Sequence, residues 1–303
     1  MNKELIEKFG PDFFKEEVKC DYRIKETQKK LWAIEMDLAC QLFEVCKKYD
    51  LRVFMYAGCL LGTIRHQGFI PWDDDMDFFL PRPDYDKLVE VAPKEFKEPY
   101  FLQNALSDRE FFIGYSRMRN SDTTGILKWE KSLTYNNGVY IDIFVMDAFI
   151  NDRELVARQR KKAKFYAKLA GRYYADTDKR KCLQKAILGL YQQTFCKVVP
   201  YESLIRKYNQ ILRMYEGKTD KYAILTHTDS FNNWCDEADI AETLWMDFEN
   251  IKVPVPLNYE KMLKTQYGDY MKLPEPEDRG MDHGDNITYD PDVSYKEYIR
   301  NHQ

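Results

Sequence analysis

Four carboxylates, Asp73, Asp74, Asp75 and Asp77, crowd into the stretch YAGCLLGTIRHQGFIPWDDDMDFFLPRPDYDKL, which runs from Tyr56 to Leu88. Like charges packed this closely raise one another's cost of ionising unless a cation or strong donors sit among them. Their flanks, Pro71 and Trp72 before and Phe78, Phe79 and Leu80 after, are not those of a solvated acidic tail. Asp75-Met76-Asp77-Phe78 alternates polar and apolar at period two, the sign of a half-buried strand. A strand would project Asp75 and Asp77 side by side from one sheet edge. That arrangement holds a hard divalent cation through oxygen ligands. Asp73 and Asp74 precede the strand and could assist, cap a turn or face water.

These side chains need elements to aim them. Residues 51–56 read as a short strand, followed by a turn at Gly58 and a short helix through Arg65. A glycine turn at a helix N-terminus offers backbone N–H groups and the positive end of the helix dipole to a phosphate. Arg65 and His66 add positive character about two turns later. A phosphate cradle beside a carboxylate pair is the constellation of metal-assisted phosphoryl chemistry.

Two later strands carry further polar residues. In the strand read at 111–119, Tyr115, Arg117 and Arg119 share a face, an arrangement that is costly unless they meet water or an anion. The apolar run Val139–Asp147 is broken by Asp142, and a buried lone Asp needs a partner. Asp142 either closes the metal site as a third carboxylate or is satisfied by an Arg or a backbone turn. Asp147 has the wrong parity for that face and reads as a turn or cap residue.

Around these lie a loose N-terminal arm (1–22), a strong amphipathic helix between Tyr22 and Asp50, and a helix from Arg82 to about Ala92. The long helix is read as backing the sheet without a functional role. Strands are predicted at 100–104 and 222–225, and a helix at Tyr259–Tyr267 that stops at Gly268. Residues 151–215 read as a helical insertion within a single catalytic domain spanning 1–303. Its basic first part and the amphipathic 182–199 pack on the domain; the alternative is peripheral membrane contact through 153–199.

Composition narrows the class. Of 303 residues 44% are apolar and 32% charged, ordinary for a core-forming protein. The 22 Tyr and 18 Phe suit a carbohydrate- or cation-binding cleft as well as a core. A net charge of −4 argues against a general nucleic-acid binder. Seven scattered cysteines without a C-x-x-C pair suit a reducing cytosol. Neither a signal peptide after Met1 nor a membrane-length apolar run is read, so the expected location is cytoplasmic, with the inner face of the membrane as a further site.

The string G-C-L-L-G-T-I-R-H-Q-G-F-I-P-W-D-D-D-M-D, with R-P-D-Y after it, resembles the signature of the LicD family. Its members include bacterial phosphocholine transferases that decorate cell-surface glycans, and the animal fukutin-related proteins look like distant relatives. Y-I-D-I-F around Asp142 and Y-G-D-Y-M-K-L-P-E-P-E-D-R-G-M-D-H near the C-terminus resemble further family segments. Cys59 departs from the pattern, since the family more often has Thr or Ser there. The resemblance implies an α/β protein with the nucleotidyltransferase fold of the DNA polymerase β type: a small mixed sheet flanked by helices.

It also implies a reaction, transfer of a phospho-alcohol group such as phosphocholine from a CDP-alcohol donor to a hydroxyl of a cell-surface glycan or its lipid-linked precursor. Asp75 and Asp77 would hold Mg²⁺ (or Mn²⁺) bridging the donor phosphates at Gly58. Asp142 would complete the metal site and take the proton of the attacking hydroxyl. Arg65, with Arg117 or Arg119, would neutralise phosphate charge. His66 and His283 fall in family-like motifs, and His283 could reach a phosphate or the acceptor, or simply face solvent. Trp72 would cage a quaternary ammonium by cation–π attraction, or pack beneath the loop. The competing readings are a nucleotidyltransferase that releases pyrophosphate and a binding protein in which the Asp cluster holds a structural metal. EF-hand spacing is absent.

Overall fold

The apolar run broken by Asp142 forms the longest strand of the protein, and all ten of its residues are buried. The computed structural model describes residues 3–128, 130, 135–177, 181–226, 230–280 and 286–302. In chain order the elements are α1 (Lys3–Phe9), β1 (Glu17–Lys19), β2 (Tyr22–Ile24), α2 (Glu26–Lys48), β3 (Phe54–Met55), α3 (Ala57–His66), β4 (Asp77–Pro81) and α4 (Arg82–Glu95). They continue with β5 (Tyr100–Gln103), β6 (Ser116–Asn120), β7 (Thr124–Leu127), β8 (Val139–Ala148), α5 (Arg153–Tyr173), α6 (Cys182–Val198) and α7 (Tyr201–Leu212). Last come β9 (Lys221–Ile224), β10 (Trp234–Asp236), β11 (Thr243–Phe248), β12 (Ile251–Pro256), α8 (Tyr259–Tyr267), β13 (Ile287–Asp290) and α9 (Tyr295–His302).

β8 organises a mixed seven-stranded sheet. One of its edges runs parallel to β4, with Asp77 opposite Asp142 and Pro81 opposite Met146, and β3 adds antiparallel beyond β4. Its other edge is shared: the N-terminal half pairs antiparallel with β6 and then β5, and the C-terminal end with β9 and then β10. Two-residue alternation gives the sheet distinct faces. Phe78, Leu80, Met118, Ile141 and Ile143 pack with Leu31, Ile34, Leu38 and Leu42 of α2 in the main core. Phe79, Phe144 and Met146 point the other way, against Phe54, Tyr56 and Tyr115. Each such side chain taken fully out of water contributes about 2 kcal/mol of transfer free energy.

Several local expectations change. The N-terminal arm is structured: Phe9, Phe13 and Phe14 are buried in the main core, and β1 and β2 form a hairpin. The strand expected from Phe111 begins only at Ser116, and that expected at 51–56 shrinks to two residues. Asp147 is neither turn nor cap. It lies buried within β8 and forms a two-pronged ion pair with buried Arg82 at the start of α4, both contacts 2.7 Å. The helix at 259–267 forms as predicted, ending where Gly268 takes a φ of +66°.

The helical stretch forms α5, α6 and α7. Asp152 caps α5 by accepting from the amides of Glu154 and Leu155 at 2.9 and 3.0 Å. Val156 and Ala163 of α5 pack with Tyr208 and Leu212 of α7. Among the described residues no helix is long and apolar enough to cross a membrane.

Candidate active site

Five backbone groups of the acidic segment are held by side chains from three different elements. Gln28 of α2 donates to the carbonyls of Pro71 (2.9 Å) and Asp73 (3.1 Å), and the Trp32 indole N–H donates to Asp73 O at 3.0 Å. The Cys59 thiol of α3 donates to Asp75 O at 3.4 Å and accepts from the amide of Asp77 at 3.1 Å. The Tyr289 hydroxyl of β13 reaches Asp74 O at 3.4 Å. Buried carbonyls need such donors because water cannot reach them. The segment is therefore a scaffolded loop, not a free acidic turn. Asp74 is buried, whereas Asp73, Asp75 and Asp77 are half-buried. Asp75 lies before β4 rather than in it, although Asp142 N donates to Met76 O at 3.0 Å and carries the ladder one residue back.

Register then brings the catalytic candidates together. Asp77 of β4 and Asp142 of β8 are direct partners in a parallel ladder, and Arg117 of β6 partners Asp142 from the other side. Gln103 of β5 extends the row. Parity puts all four on the face opposite α2, about 4.8 Å from strand to strand. The two open readings of Asp142 and Arg117 resolve into each other. Arg117 Nε donates to Asp142 Oδ1 at 2.8 Å and its NH1 to Glu130 at 2.9 Å, and its plane lies 3.8 Å from the Tyr140 ring centre. The Tyr115 hydroxyl reaches Asp142 Oδ2 at 3.3 Å. Arg119 is fully buried, donating to Gln103 (2.5 Å) and Gly138 O (2.8 Å) beside Glu130. Neither arginine lies on the solvated or anion-facing surface that the sequence suggests, because a buried Glu130 draws both inward.

The N-terminus of α3 abuts this row, with Tyr56 N donating to Asp77 O at 2.9 Å. Ala57, not Gly58, takes the left-handed backbone (φ +46°), a conformation that costs a non-glycine residue of order 1–3 kcal/mol. Gly58 matters for room: a Cβ there would sit 2.8 Å from Asp73 Oδ2. Gly62 lets the returning loop press on the helix, since a Cβ would meet Gly68 O at 2.5 Å. Cys59 thus supplies the donor and acceptor that a Thr or Ser hydroxyl would offer. Burial, with Asp77, Asp75 and Asp73, pushes its thiol well up, so it stays protonated.

The remaining predicted residues sit further along. Arg65 donates from NH1 to Tyr270 O (3.1 Å) and Lys272 O (3.3 Å), tying α3 to the turn after α8. Its Nε donates to His66 Nε2 at 2.9 Å. Burial first and Arg65 second lower the His66 imidazole to about 4, so His66 is neutral at pH 7 and adds no positive charge. Trp72 is buried, with the Arg279 guanidinium 5.2 Å from its ring centre. His283 lies outside the described residues.

Three contributors escape the sequence reading. Gln28, Trp32 and Glu35 occupy adjacent turns of α2. Glu35 is buried, and its Oε2 has no hydrogen-bond partner among the described residues. Burial, followed by Asp75, Asp74, Asp73 and Asp77, pushes its carboxyl well above the ordinary range. Polar residues beside the apolar stripe of a long helix are the signal that marks them. A second region, α8, adds a fourth: Tyr267, 40% exposed, has its phenol raised by partial desolvation and then by Tyr56 and Asp73. Among the described residues no group of three or more His, Cys, Asp or Glu side chains could by itself hold a metal ion.

Comparison with known proteins gives this geometry a context. Residues 50–170, which contain α3, β4, β6 and β8, match the family model described as "LicD/FKTN/FKRP, nucleotidyltransferase domain". The chain is 26% identical over 273 residues to the lipopolysaccharide cholinephosphotransferase LicD of Haemophilus influenzae, covering 84% of this chain and 97% of that protein. Shorter matches reach uncharacterized proteins of Rickettsia prowazekii (31% over 78 residues, 23% of this chain and 29% of that protein) and Rickettsia typhi (30% over 82 residues, 25% and 26%). The family match covers the scaffolded acidic loop together with the strand that carries Asp142, and in residues 50–170 the chain is similar to the LicD family.

Proposed function

We propose that this chain transfers a phospho-alcohol group, phosphocholine first among them, from a CDP-alcohol to a hydroxyl of a cell-surface glycan or its lipid-linked precursor. The observation that carries the reading is the ladder pairing of Asp77 with Asp142 beside the N-terminus of α3. The similarity to a protein named for cholinephosphate transfer to lipopolysaccharide supports the choice of group and acceptor. We assign the sheet to the nucleotidyltransferase fold of the polymerase β type, on the strength of acidic residues on adjacent strands with a helix entering between β3 and β4.

In this reaction the acceptor oxygen attacks the phosphorus that bears the alcohol. The bond from that phosphorus to the bridging oxygen breaks, CMP leaves, and the acceptor proton passes to Asp142. Arg117 and Tyr115 fix the orientation of Asp142 for that role. The N-terminus of α3 offers amides and dipole to the diphosphate, and Gly58 leaves space for close approach. Asp75, Asp77 and Asp142 do not form a ready-made metal cluster, but their oxygens are the donors that would hold Mg²⁺ or Mn²⁺ together with substrate. Such an ion, when bound, would neutralise charge building on the leaving phosphate. Glu35 lies beneath the loop, where burial and the four aspartates push its carboxyl up and so oppose a further negative charge.

A panel of CDP-alcohols with Mg²⁺, scored for CMP release, tests the proposal. Asp77→Asn should lose at least about a thousandfold in turnover while keeping its far-UV spectrum, the scale expected for removing a group that acts on transition-state charge. Equal CMP release by wild type and variant overturns the site. The matching family's nucleotidyltransferase domain favours one second reading, transfer of the nucleotide itself. Pyrophosphate released from CTP would support that instead.

A further inference from the structure

The helix α6 carries an aliphatic stripe on its outer face. Leu183, Ile187, Leu190 and Val198 fall on one helical face, and they are 73, 62, 65 and 80% exposed. The opposite side of α6 buries Leu188 and packs Phe195 in a cluster with Ala170 and Leu169 of α5, and polar contacts to α5 add to this. The Tyr191 hydroxyl donates to Leu169 O (3.0 Å), Gln192 donates to Ala175 O (2.8 Å), and the Tyr173 hydroxyl of α5 donates to Cys196 O (2.7 Å). These bonds fix the rotation of α6 with its aliphatic stripe outward, against the usual preference.

The neighbouring helix supplies the matching charge. Arg158, Lys161, Lys168 and Arg172 are exposed along α5, and among them Phe165 is 58% exposed. Residues 153–199 carry thirteen Lys and Arg against three Asp and Glu, a net of +10 within a chain of net −4. Everything else therefore stands at −14.

An aliphatic stripe flanked by long cationic side chains suits a bilayer. The aliphatic groups enter the acyl boundary while Lys and Arg stems run along it to lipid phosphates. Two copies of the chain meeting through this face would set two +10 regions against each other, which disfavours self-association. Nucleic acid would engage the cations and leave the aliphatic stripe wet.

We propose that α5 and α6 dock the protein on an anionic lipid surface, with Leu183, Ile187 and Leu190 inserted and the cations of α5 at the phosphates. Docking is independent of the proposed reaction, because it is read without donor or acceptor. The full chain is spun with vesicles of phosphatidylcholine alone or with about one-third phosphatidylglycerol, at about 0.1 M and then about 0.5 M salt. The expected result is sedimentation with the anionic vesicles only, weakened by salt. The triple variant Leu183→Ser, Ile187→Ser, Leu190→Ser should partition about tenfold or more weakly with unchanged far-UV spectrum. Lys161→Glu with Lys168→Glu should weaken binding to anionic vesicles as well. Equal sedimentation with both lipid types overturns the proposal. So does a triple variant that binds vesicles like wild type, or one that only turns a dimer into a monomer in analytical ultracentrifugation.

Discussion

The acidic site and the α5–α6 pair are built on opposite plans. At the site, polar groups lie in the interior and strands and helices both contribute partners: Asp142 to Arg117, Arg117 to Glu130, the loop carbonyls to Gln28, Trp32, Cys59 and Tyr289. On α6 polar side chains join Leu188 and Phe195 in the inward contacts, while Leu183, Ile187 and Leu190 face out. The site is therefore over-determined, with its carboxylates fixed before any ligand arrives, and a loss there is felt through the core. The helical pair is under-determined and has side chains left over for something outside the chain.

Replacements should separate the two plans. Arg117→Ala leaves Asp142 without its counter-charge and the fully buried Glu130 with Arg119 alone, and should cost about 3–5 kcal/mol in a denaturant titration. Arg117→Lys should recover only part of this, because one ammonium cannot reproduce the fork. A cost below about 1 kcal/mol would mean that the row is not a buried network. Trp32→Phe removes one donor from Asp73 O and should cost about 1 kcal/mol. Its effect on CMP release should be larger than its effect on stability, since the loop and not the core loses its tether.

The pH response offers a gentler probe. His66 is neutral in the folded protein down to about pH 4, whereas its unfolded form takes up a proton near its ordinary value of 6.5. The unfolded state then binds more protons, so stability should fall as pH drops through that window. The melting temperature of His66→Phe should respond less to pH between 7 and 5 than that of wild type. The smallest effect belongs to the exposed helix. Ile187→Ser alone should shift unfolding by no more than about 0.5 kcal/mol. A larger shift would mean that the stripe is already covered within the protein.

Much of this organisation is legible in the linear order of residues. Period-two alternation at Asp75–Phe78, of which β4 takes up only Asp77 and Phe78, and the apolar run around Asp142 point to two core strands, and the spacing at Leu31, Ile34, Leu38 and Leu42 identifies α2. Such patterns are local, set by backbone geometry and by which face meets water. Partnership is not local. That Asp142 is answered by Arg117, that Asp147 is a buried ion-pair member, and that Arg119 turns inward depend on which strand lies next to which.

The sequence by itself determined that an acidic cluster, a glycine-bearing helix and an Asp-bearing core strand exist and resemble one family's pattern. Only the tertiary structure decided that Asp77 and Asp142 are neighbours, that α2 grips the loop from beneath, and that the apolar side of α6 faces outward. The reason is that hydrophobic periodicity fixes an element and its preferred face. Register and hydrogen-bond partners are fixed only when separate elements compete to bury that face and satisfy every polar group taken with it.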